Sequence, residues 1–80
     1  MEEMPRKSAV ELEAECLRLL AMDPSTRGIR HVRIIRLNPE GSGPNWTFGE
    51  FEPPPTRNGY GVAQTLIASL YGKWALADDD

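Results

Sequence analysis

The sequence predicts a small α+β domain ordered helix, β-hairpin, helix, with both helices packed on one face of an antiparallel hairpin. Three observations carry that prediction. Residues 8–22 repeat apolar side chains at helical spacing, between a capping signal and a proline. Residues 29–37 and 46–52 are short stretches rich in β-branched or aromatic side chains on either side of a Pro- and Gly-rich loop. Helical spacing then returns over 59–77.

The first helix has clear limits. Ser8 and Glu11 stand at the spacing of a capping box, in which each side chain satisfies a free backbone N–H at the helix start. Leu12, Cys16, Leu19 and Leu20 form the apolar stripe, widened by Ala9 and Leu17. Glu15 and Arg18 pair favourably at i, i+3 on the wet side, whereas Glu11 and Glu15 repel mildly at i, i+4. Pro24 stops the helix, because the residue before a proline avoids the α region.

Asp23 to Gly28 read as a turn, and IRHVRIIRL (29–37) reads as a strand. The loop 38–45 leads to WTFGEFE (46–52), the second strand. Setting Leu37 against Trp46 brings Ile35 to Phe48, Arg33 to Glu50 and His31 to Glu52, matching apolar with apolar and basic with acidic. Val32, Ile34 and Phe51 then share the opposite face, so both faces are partly apolar. Gly49 in mid-strand marks a place where a bulge would change this register.

Three prolines from Pro53 make a stiff spacer to the second helix, for which Asn58 is the expected cap. Val62, Leu66, Ile67, Leu70, Tyr71, Trp74 and Ala77 follow helical spacing, and the other elements are expected to pack on that face. Residues 1–7 are expected to be flexible and the acidic tail 78–80 to fray.

Eighty residues make a single domain, 1–80, that buries only about 60–65% of its unfolded surface, so added support is expected. Cys16 is the only cysteine, which rules out a disulfide within the chain. With His31 as the only imidazole, no four-ligand metal site is expected, nor any cofactor. Self-association remains as the expected support, two hairpins either joining by their edges into a larger sheet or packing face to face. No apolar run approaches the roughly eighteen residues of a membrane span, and no secretory signal is evident. A cytoplasmic setting is expected, with no membrane partner.

Charge is uneven along the chain. Residues 1–23 carry net −3, residues 24–60 net +2 and residues 61–80 net −2. Any anion-binding surface belongs to the middle third, where Arg30, Arg33, Arg36 and Arg57 are the candidate nucleic-acid contacts, with Trp46 and Tyr60 as stacking platforms. The net charge of −3 and pI near 5.1 argue against that use. Cys16 and His31 are the only conceivable thiol–imidazole pair, but Cys16 lies on an apolar stripe where a cysteine is usually core. Glu50 and Glu52 read best as partners of the arginine strand. Arg57, Gly59 and Gly61 stand where a helix start binds anions, without the spacing of a phosphate loop.

No catalytic motif is present. The expectation is a non-catalytic interaction or regulatory module, working through a homodimer or another protein, with Val32, Ile34 and Phe51 at the dimer interface. The alternatives are a nucleic-acid binder using the arginine strand and a small enzyme or accessory subunit.

Overall fold

The computed structural model describes residues 5–38 and 43–77. Its elements are β1 (Arg6–Lys7), α1 (Ala9–Leu20), β2 (His31–Arg36), β3 (Trp46–Glu52), α2 (Arg57–Ala68) and β4 (Ala75–Leu76). The α+β order helix, hairpin, helix is as the sequence predicts, with a second, parallel pair of short strands added.

Helix α1 is built by its own local signals. The Ser8 hydroxyl accepts from the Glu11 N–H, and the Glu11 carboxylate accepts from the Ser8 N–H at 3.0 Å. These bonds hold the exposed Glu11 carboxyl below its usual pKa. Arg18 meets Glu15 at 3.4 Å. At the far end the buried Thr26 hydroxyl donates to the Leu20 carbonyl at 2.6 Å, occupying one of the acceptors a helix end leaves free. Asp23 accepts from the Ser25 N–H and hydroxyl, which fixes the turn and lowers the Asp23 pKa.

Strands β2 and β3 pair antiparallel, with His31 opposite Glu52 as the sequence suggests. Beyond Val32–Phe51 the register changes: Ile34 faces Phe48, Ile35 faces Thr47 and Arg36 faces Trp46. One residue of β2, Arg33, thus stands against two of β3, a bulge at Gly49–Glu50. A Cβ on Gly49 would stand 2.7 Å from Ile35 Cδ1, so a larger residue there would displace the tip of the Ile35 side chain.

The bulge corrects the expected distribution of faces. The extra residue turns Trp46 and Phe48 to the side of Val32, Ile34 and Phe51, so the hairpin has one strongly apolar face instead of two. That face meets the helices. Leu12, Cys16 and Leu20 of α1, with Ala63 and Ile67 of α2, form one core with Ile29, Val32, Trp46, Phe51, Leu70 and Leu76. Ile34 and Phe48 pack against its margin. On the outer side Ile35 and Leu37 remain 37% exposed.

The second helix is the larger correction. It begins two residues earlier than expected, with Thr56 instead of Asn58 as cap, the hydroxyl accepting from the Gly59 N–H at 3.1 Å. It ends at Ala68, not Ala77. The Ser69 hydroxyl donates to the Leu66 carbonyl, and the backbone tightens into i→i−3 bonds from Leu70 to Ile67 and from Tyr71 to Ala68. The chain then extends, and tertiary partners take over. Trp46 Nε1 donates to the Trp74 carbonyl at 2.9 Å. The Asn45 amide both donates to the Leu76 carbonyl and accepts from the Leu76 N–H, each at 2.9 Å, as a backbone neighbour would. The Arg36 guanidinium donates to the Ala77 carbonyl.

Residues 6–7, expected to be loose, pair in parallel with 75–76, and the Lys7 ammonium stands 4.2 Å from the centre of the Trp74 ring. The expectations for residues 1–4, for the acidic tail 78–80 and for most of the loop tip, 39–42, lie outside the described residues.

Candidate functional site: a groove beside the bulged strand

Pro53 to Pro55 turn the chain away from the sheet at the end of β3, and Thr56 starts α2 at once. A close approach fixes the angle of that entry. Gly59 is buried, and a Cβ there would stand 2.7 Å from the Ser25 carbonyl oxygen. The first turn of α2 therefore lies directly on the 23–28 turn, and Tyr60 is carried toward the bulged half of β3.

A groove of about 520 Å³ opens between them, lined by Glu50, Phe51, Glu52, Pro54, Pro55 and Tyr60. Phe51 and Tyr60 are its aromatic lining, and Phe48 packs against both. Phe48 and Phe51 stack with centroids 5.1 Å apart, and Tyr60 meets them edgewise at 6.1 and 5.7 Å. The bulge makes that stack possible, because residues three apart on a regular strand point to opposite faces. Tyr60 keeps 42% of its surface exposed. Glu50 and Glu52 are exposed on the rim. Among the described residues neither carboxylate reaches a cation, the ion pairs being Arg18–Glu15 and His31–Glu13.

The pairing expected between the strands is therefore not made. The bulge takes Glu50 out of a simple cross-strand position with Arg33. His31 turns to α1, its Nδ1 standing 3.7 Å from a Glu13 carboxylate oxygen that also accepts from the Val32 N–H at 2.9 Å. Glu13 thus occupies an outward N–H of β2. In contrast, among the described residues no further strand joins the outer side of β3.

The four candidate arginines do not form one surface. Arg30 and Arg33 are both exposed, three residues apart, which on a strand directs them to opposite faces. The Arg36 guanidinium is engaged by the Ala77 carbonyl. Arg57 lies in the first turn of α2 and is exposed. The residues expected at a dimer interface are also placed elsewhere. Val32 and Phe51 are core residues, 2% and 5% exposed, and Ile34 is half-buried against the core. The bulge is again the cause, since it leaves a single apolar face that the helices of the same chain cover.

Cys16 is fully buried, and burial, with Glu13 and Glu15 nearby, pushes its thiol up to about 12. It is a core side chain, as its place on the helical stripe suggests. No group of three or more His, Cys, Asp or Glu placed to hold a metal ion occurs among the described residues. Among the same residues no helix is long and apolar enough to cross a membrane.

Comparison with protein-family models, with curated proteins and with solved structures finds no match to this chain. What the groove does must therefore be argued from its own side chains. The sequence offers Tyr60 as a stacking platform beside the arginines and Gly59 as part of a helix start, and Glu50 and Glu52 as partners of the arginine strand. The one signal pointing to the groove was Gly49, which marked the bulge without saying which residues it would bring together.

Proposed function

We propose that this chain is a small non-catalytic interaction module that binds a segment of a partner protein at the groove between β3 and the first turn of α2. The observation that carries this reading is a recess of about 520 Å³ with aromatic lining from Phe51 and Tyr60 and two carboxylates that are unpaired among the described residues. Recesses of this size, apolar with a few polar groups, are where small ligands and peptide side chains lodge. A cytoplasmic setting belongs to the same proposal, in keeping with a single free, buried thiol.

Panning a phage-displayed random heptapeptide library against the chain tests the reading. The expected result is convergence on a motif that no longer binds the Tyr60→Ser variant, with folding of the variant checked by its NMR spectrum. Failure to converge, or a motif indifferent to Tyr60, would defeat it.

A further inference from the structure

The lining of the groove is one-sided in its chemistry, and that restricts what fits. Glu50 and Glu52 offer carboxylate oxygens, which only accept hydrogen bonds. Pro54 and Pro55 offer carbonyls and no N–H. Phe51 and Tyr60 offer apolar ring surface with a negative π face. A phosphate, a carboxylate or a nucleic-acid backbone would meet two like charges there. A ligand that suits this lining must be cationic, rich in donors and able to lie against an aromatic ring.

Guanidinium meets all three demands. It is planar, weakly hydrated and always charged, it donates in a fixed fork that matches a carboxylate, and it stacks on aromatic faces. Its methylene stem would cover the exposed part of Tyr60 and Pro55, as long cationic side chains do on apolar surface. Glu50 and Glu52 are two residues apart on one strand, about 7 Å by strand rise. An extended peptide has the same repeat between alternate side chains. One such peptide would set a guanidinium at each carboxylate with an arginine stem against Tyr60, and turn the residue between them toward the Phe51 edge.

We propose that the groove recognises arginine side chains of an extended partner segment with the pattern Arg-x-Arg, where x is apolar. The inference rests on the interaction-module reading and adds the chemistry of the partner. Charge complementarity selects the occupant: the rim is acidic, its two carboxylates are unpaired among the described residues, and no donor-rich side chain of this chain lines the groove.

The test is an NMR titration of the ¹⁵N-labelled full chain with the blocked peptide Ac-Ala-Arg-Val-Arg-Ala-NH₂ at low and at physiological salt. Shift changes are expected at Glu50, Phe51, Glu52 and Tyr60, with affinity falling as salt is raised. Glu50→Gln and Glu52→Gln should each weaken binding about two- to fivefold, the range of an exposed ion pair. Tyr60→Leu should weaken it about threefold through the lost cation–π contact. Replacing both arginines of the peptide by lysine should also weaken binding, since an ammonium cannot stack.

Four results would overturn the inference. One is no shift at millimolar peptide. Another is shifts spread equally over the α1 carboxylates Glu11, Glu13 and Glu15, which would mean unspecific charge attraction. The third is self-association abolished by Glu50→Gln, which would put a second copy in the groove. A phage motif that depends on Tyr60 but lacks arginine would also sink this inference, while leaving the interaction-module reading intact.

Discussion

The two ends of the hairpin are built from the same two strands and are finished in opposite ways. At the loop end three side chains of the hairpin find backbone partners in the C-terminal segment. Asn45 holds Leu76 by both of its main-chain groups, Trp46 holds Trp74, and Arg36 holds Ala77. At the other end the bulge, the prolines and Tyr60 leave a recess with two carboxylates unpaired among the described residues. The difference separates the end where this domain holds its stability from the end where it keeps an open recess. Interlocked side-chain-to-backbone bonds rigidify one end, and a rigid end allows the other to stay open without loosening the core.

Substitutions can break that comparison. Trp46 is fully buried in the core and donates its indole N–H, so Trp46→Ala should cost about 3–5 kcal/mol, enough to unfold much of a small domain. Reversible urea unfolding measures it, and a loss below about 1 kcal/mol would mean that the loop end is not the stable one. Asn45→Ala removes both bonds to Leu76 and leaves partly buried backbone groups to find water, at about 1–3 kcal/mol. Hydrogen exchange should show the loss concentrated at residues 75–77, not spread over α1.

Cys16 sharpens the comparison through pH. Burial raises its thiol to about 12 from an ordinary value of 9.0, so the native state keeps its proton where the unfolded chain has begun to lose it. The corresponding stability is fully present below about pH 9 and is lost as pH rises from 9 toward 12, by at most about 1.4 kcal/mol per pH unit. Urea midpoints from pH 8 to 10.5 should therefore fall more steeply in the wild type than in Cys16→Ala. Labelling of the thiol adds a spatial readout. Asn45→Ala should speed it, whereas Glu50→Gln should not, because only the first variant weakens what holds the core shut. The smallest effect is that of Glu50→Gln on stability itself, within about 0.5 kcal/mol for an exposed group with no ion-pair partner among the described residues. A larger loss would show that the open end carries part of the fold.

What the sequence made legible follows the range of the interactions. Ser8, Glu11, Glu15, Arg18 and Pro24 act within a few residues, and α1 is found where those signals put it. The strands follow from β-branched and aromatic content, which is equally local. The end of α2 was hidden because its apolar period continues through Tyr71 and Trp74, while the bonds that pull the chain out of the helix come from Asn45, Trp46 and Arg36, roughly thirty residues or more away. Strands of two residues such as β1 and β4 carry no pattern of their own. The groove was hidden for a different reason. One extra residue at Gly49–Glu50 changes which side of the sheet Phe48 and Trp46 share with Phe51, so a single register step turned an apparent dimer face into core and set the aromatic lining of the site.

The parallel pairing of Arg6–Lys7 with Ala75–Leu76 has a consequence for how the chain must be made. Synthesis is vectorial, and these partners emerge 69 residues apart. On the ribosome β1 leaves the tunnel among the first residues described and waits with its hydrogen-bonding side open, through the appearance of α1, the hairpin and α2. Asn45, Trp46 and Arg36 wait as well, for the same C-terminal stretch. Closure thus waits until Ala75–Leu76 has emerged, and a nascent chain halted before Ala75 would lack the lock between these two segments.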